Sequence, residues 1–178
     1  MKELTCVISI CAAVLSSGGP GKAAKTTESG PDEKAAVAQV IHDSICWALT
    51  KDRALEESTM SHEDDLFIFW VDSGTTIAGW KQFVKLFDTW MDPRFKAMHT
   101  EIRDLQIHIA PCGQVAWYSA MLDDLNEWDG KPVGASDIRW TGVLEKRDGK
   151  WVVVQMHGSV ARDKILEQLN QKKEVAAQ

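Results

Sequence analysis

The chain has 178 residues, 44% hydrophobic and 26% charged, enough for one domain with a real core and too short for two comfortable ones. Its formal net charge is −6 with a pI near 5.3, and no run of basic residues exceeds a pair. That excludes nucleic acid as a main partner, because phosphate binding needs concentrated Lys and Arg.

Residues 1–31 read as a secretory signal peptide and flexible linker. Lys2 precedes an apolar run from Cys6 to Leu15, of the length of a secretory leader's core and too short to span a bilayer. Gly, Ala, Lys, Ser and Thr without apolar periodicity then fill the stretch from Gly18 to Pro31. The expectation is an exported mature chain, periplasmic or secreted, with no stable membrane insertion; without cleavage it stays cytoplasmic. Removing the leader takes Cys6 and Cys11. Cys46 and Cys112 remain, either as one disulfide or as two buried free thiols, and their spacing matches no zinc motif.

The folded domain is expected over 32–170, with a C-terminal tail over 171–178. A first helix starts near Asp32, and Val37, Val40, Ile41, Ser44, Ile45 and Ala48 form its buried stripe at helical spacing. A short helix follows from Asp52 to about Met60. "LFIFWV" (66–71) reads as a fully buried strand, turned by "DSG" into a short partner at 75–78. A third helix covers Gly79 to Met91, with Trp80, Phe83, Val84, Phe87 and Trp90 on one face, and Asp92-Pro93 ends it. Four β segments come next, at 95–110, 114–128, 133–147 and 150–160. Their turn signals are Pro111-Cys112-Gly113, Asp129-Gly130-Lys131-Pro132 and Asp148-Gly149, the last a strong hairpin signal. A short helix from Arg162 to Asn170 closes the chain. Helices first and an antiparallel meander afterwards predict an α+β fold with helices packed on one face of a curved sheet.

"WALTKD" (47–52), "DDLFIFWVDSG" (64–74), "DPRFK" (92–96), "VAWYSAMLDDLNEWDGKP" (115–132) and "RWTGVLEKRDGKWVVVQMHGS" (139–159) together resemble the SnoaL-like branch of the nuclear transport factor 2-like superfamily. The resemblance implies a cone-shaped domain in which a curved antiparallel sheet and N-terminal helices enclose a pocket, with dimers formed through the sheet's outer face. It does not fix a function, since such domains include isomerases, cyclases, dehydratases and association modules.

Candidate site residues come from three places. Along the last strand Trp151, Val153, Gln155, His157 and Ser159 alternate with Val152, Val154, Met156, Gly158 and Val160. A two-residue turn sets His157 opposite Trp140, and a bulged turn sets it opposite Arg139. If Gln155, His157 and Ser159 point into the cone, His157 is a candidate proton carrier and Arg139 a candidate anion holder. If they point outward, they hydrogen-bond across an interface. Asp72 follows the first strand, near the position where ketosteroid isomerase-like members carry a general base, but "DSG" is also an ordinary turn. The tyrosine of an isomerase oxyanion hole has no counterpart, since Trp47 occupies that region.

Trp47, Trp70, Phe83, Phe87, Trp117, Trp140 and Met156 are the expected apolar walls for a small apolar organic ligand. Eight tryptophans against a single tyrosine, Tyr118, fit such walls. Adjacent Asp123 and Asp124 lie on opposite strand faces and cannot act as an acid–base pair. His99 and His108, nine apart, are likewise expected on opposite faces, which leaves no two-histidine metal site on that strand. No cofactor motif occurs. The expected function is therefore a ligand-binding or accessory domain. Its alternatives are a cofactor-free isomerase, cyclase or lyase using His157, Arg139 or Asp72, and a structural dimerisation module.

Overall fold

Helix α1 (Pro31–Cys46) leads into a 3-10 turn (Trp47–Leu49) and α2 (Arg53–Thr59), whose start is capped by Asp52 accepting from the Leu55 amide at 2.9 Å. In this computed structural model residues 31–72 and 74–176 are described; the leader and nearly all of the linker expected over 1–31 lie outside the described residues. The apolar stripe of α1 is the face turned inward, with Val37, Ile41 and Ser44 buried.

Two short strands, β1 (Phe67–Phe69) and β2 (Thr76–Ala78), pair antiparallel. The third predicted helix is one helical stretch with a tightened middle: α3 (Trp80–Phe83), a 3-10 turn (Val84–Leu86) and α4 (Phe87–Trp90). The meander is β3 (Phe95–Ile109), β4 (Val115–Trp128), β5 (Lys131–Arg147) and β6 (Lys150–Val160). Both later turns are two-residue loops. Asp129-Gly130 and Asp148-Gly149 have positive φ at both positions, the geometry that follows the strands' own twist. Helix α5 runs from Arg162 to Ala176, beyond the Asn170 end expected from the sequence, and leaves Ile165, Leu166 and Leu169 exposed. None of the described helices is long and apolar enough to cross a membrane.

The six strands form one open sheet in the order β2-β1-β6-β5-β4-β3, with β1 parallel to β6. The helices cover one face. Their core partners are Ala116, Tyr118 and Leu122 of β4, Ile138, Trp140 and Leu144 of β5, and Trp151, Val153 and Met156 of β6.

Bulges give the sheet its curvature and change its facing. β3 carries an extra residue between Ala97 and His99, and another irregularity between Arg103 and Gln106, where Asp104 has φ 54. β5 has one between Ala135 and Ile138, with Asp137 at φ 55, and β6 has Val154 between Val153 and Gln155.

Three expectations need correction. "LFIFWV" is not buried on both faces: Ile68 points in while Phe67 and Phe69 are exposed, because helices cover only one side of β1. His99 and His108 are not on opposite faces, because the bulges reset the alternation and leave both exposed. Cys46 and Cys112 are both free, and Cys112, in the β3–β4 turn, is exposed rather than buried.

Candidate active site in the cone

Between the helices and the concave face of the sheet lies a cavity of about 300 Å³, at the small end of ligand pockets. Its deep end is apolar: Met60, Ile68, Ile77 and Met156 are buried there. One wall is an aromatic cluster. Trp47 stands edge-on to Trp90 at 5.5 Å, and Trp90 to Phe83 at 5.6 Å. Trp70 closes the side beside β1. The exposed residues Asp72, Thr89 and Val133 mark its mouth.

A few polar groups converge on this apolar surface. Glu56 of α2 is 2% exposed, and its carboxylate accepts from the Thr59 hydroxyl at 3.3 Å. Burial pushes the Glu56 carboxyl well above its ordinary range, with hydrogen bonds from Thr59 and Trp47 opposing. On β4 the inward alternation Ala116, Tyr118, Ala120, Leu122 continues to Asp124 and Asn126, so both reach the cavity. The Asn126 side-chain amide donates to Asp124 Oδ1 at 3.0 Å. Burial raises the Asp124 carboxyl too, with that hydrogen bond opposing. Opposite them Gly134 has φ 91, and a Cβ there would run into the Asp124 carbonyl oxygen, so the β4–β5 arm closes only around glycine. Ser44 is also in the lining, with its hydroxyl spent on the Ile41 carbonyl at 2.8 Å.

The sequence matches the family model described as "SnoaL-like domain" over residues 37–163. The chain belongs to this SnoaL-like family. No protein in a search of curated proteins matches it. Among solved structures, the SnoaL-like chain is similar to a nuclear transport factor 2-like superfamily protein from Salmonella enterica, with TM-score 0.62 and 16% identity over 74% of this chain and 94% of that one. A nuclear transport factor 2-like protein from Cytophaga hutchinsonii gives 0.59 and 15% over 72% and 98%. A protein from Shewanella frigidimarina with a provisional ketosteroid isomerase name gives 0.55 and 18% over 71% and 97%. At these identities the likeness is one of fold.

The SnoaL-like cone gathers some of the residues expected from the sequence and separates others. Trp47, Trp70, Phe83, Met156 and Asp72 line the cavity. Phe87 packs behind the wall, 5.6 Å from Trp47, with the Arg53 guanidinium over its other side at 4.5 Å. Trp140 is fully buried against Tyr118 outside the lining, and Trp117 is 46% exposed on the outer face, stacked on His108 at 5.6 Å.

His157 and Arg139 also lie on the outer face. The Asp148-Gly149 loop has two residues, but the bulge at Val154 moves the register by one. His157 therefore pairs with Thr141, neither of the two partners expected, and stacks on Phe69 at 5.5 Å, while Arg139 pairs with Ser159. His157, Arg139 and Asp72 are thus not brought to one place. Glu56, Asp124 and Asn126, which are, were not singled out as site residues by the sequence. On the outer face His99, Glu101 and Asp123 place ligand atoms within 4.8 Å of one another, but all three are at least partly open to solvent and Arg103 already holds Asp123 at 2.9 Å.

Proposed function

We propose that this SnoaL-like protein binds a small organic molecule inside the cone and acts as a binding or accessory domain. The cavity carries the reading: it is roofed by helices, walled by Trp47, Trp70 and Trp90, and furnished with a few converging polar groups. Ile77→Trp, which fills the deep end, tests it. Small aromatic probes should raise the Tm of the wild type and quench its tryptophan emission, and the filled variant should respond to neither measurement. A ligand at about a hundred times its Kd stabilises by about 2.7 kcal/mol, several degrees in Tm. Equal responses from both proteins would place binding elsewhere.

A second reading is cofactor-free proton transfer next to a carbonyl. What favours it is Asp124, a carboxyl held by burial above its ordinary range on the cavity wall. Deuterium exchange at the α-carbon of a bound ketone, lost in Asp124→Asn, is its signature. In the same proposal the outer face, with Phe67, Phe69 and Trp117 exposed, joins two copies. His157 and Arg139 then belong to that interface. Sedimentation of a Phe69→Lys variant should show monomers where the wild type shows dimers.

A further inference from the structure

We infer that the cavity selects a protonated amine on a flat hydrophobic body, its ammonium group held by Asp124 and Asn126; this rests on the ligand-binding reading above. The first observation is a charge census. Glu56, Asp72 and Asp124 are in the lining, and no Lys, Arg or His is among the described lining residues. The charged side chains of the described lining are thus all acidic, in a chain with 20 basic and 26 acidic residues. An anionic ligand would meet acids with no counter-charge.

The second observation is an unpartnered acceptor. Asn126 is 8% exposed, its amide nitrogen is engaged by Asp124, and its Oδ1 has no hydrogen-bond partner. A buried acceptor in that state lacks a donor that the protein does not supply. Among the described residues Asn126 is the only side chain that donates to the Asp124 carboxylate. One ammonium, with several N–H donors, can serve both groups at once, which a hydroxyl with a single donor cannot. The third observation is the wall. Trp47, Trp70 and Trp90 supply indole rings, the side chains best suited to hold a cation in a site shielded from water. Burial raises both Glu56 and Asp124, so each carboxylate gains from a cation brought beside it.

Three probes of similar shape separate the possibilities: phenethylammonium, 2-phenylethanol and phenylacetate, titrated at pH 7 by calorimetry and tryptophan fluorescence. Phenethylammonium should bind about tenfold or more tighter than the alcohol, as a charge-assisted hydrogen bond allows, and phenylacetate should not bind measurably. Asp124→Asn should reduce the ammonium preference to about threefold or less. Its urea unfolding should remain a single cooperative transition, which shows that the variant folds. Asn126→Ala should weaken ammonium binding more than alcohol binding. Equal affinity for alcohol and ammonium, or tighter binding of phenylacetate, overturns amine selection and leaves the binding reading standing. Failure of all three probes to bind overturns the proposal together with the binding reading beneath it.

Discussion

Glu56→Gln isolates the energetics of the cavity's most buried carboxyl. The side chain is 2% exposed, and no basic group contributes to its titration; only hydrogen bonds from Thr59 and Trp47 oppose the effect of burial. The folded chain therefore keeps the Glu56 proton above the ordinary value of 4.5, while the unfolded chain releases it there. A raised carboxyl stabilises fully below the unfolded pKa, and its contribution is lost as pH rises towards the folded pKa. The slope for one proton is about 1.4 kcal/mol per pH unit. Gln has nearly the same shape, still accepts from Thr59 and cannot ionise, so that loss vanishes in the variant. Asp124, also raised, and Glu33, Asp65 and Asp92, lowered by their partners, titrate in both proteins and cancel in the difference. Urea denaturation of both proteins from pH 4 to 8 should give stabilities within about 1 kcal/mol at pH 4. From about pH 4.5 upward the variant should gain on the wild type by about 1.4 kcal/mol per unit until Glu56 ionises in the folded state. Parallel curves, or a variant that loses ground as pH rises, would refute the reasoning.

Two further perturbations probe the sheet. Tyr118→Phe removes a fully buried hydroxyl that has no partner, and should leave stability unchanged or raise it by up to about 1 kcal/mol in the same urea assay. Gly142→Ala places a Cβ 2.6 Å from both the Gln155 carbonyl oxygen and Tyr118 Cε1. Thermal unfolding should show a loss of about 1–3 kcal/mol or more, because backbone and a packed ring must both give way.

Local signals carried most of the fold. Asp148-Gly149 folds as the two-residue turn its sequence demands, and Val37, Ile41 and Ser44 face inward as their spacing requires. Facing on the long strands was less legible, because strict alternation holds only until a bulge. Val154 moves His157 from either expected partner to Thr141, and the irregularities of β3 bring His99 and His108 to one face. Of the site, the apolar wall could be read from Trp47, Trp70, Phe83 and Met156. The carboxyls could not be read from residue type, since Glu56 and Asp124 look like ordinary surface residues. One signal was present: the apolar even positions of β4, from Ala116 to Leu122, continue without interruption into Asp124 and Asn126.

The parallel pairing of β1 with β6 ties Phe67–Phe69 to Gln155–His157, and the lone bridge between Met60 and Val153 does the same for the end of α2. During synthesis the helical half leaves the ribosome many residues before the strand against which it docks. The surfaces of α1, α2 and β1 that pack on β6 then stay uncovered until the last hairpin emerges, so assembly is late, non-local and slow. A chain truncated before Lys150 would present that uncovered surface to chaperones or to aggregation, which makes the final hairpin the latch of the whole domain.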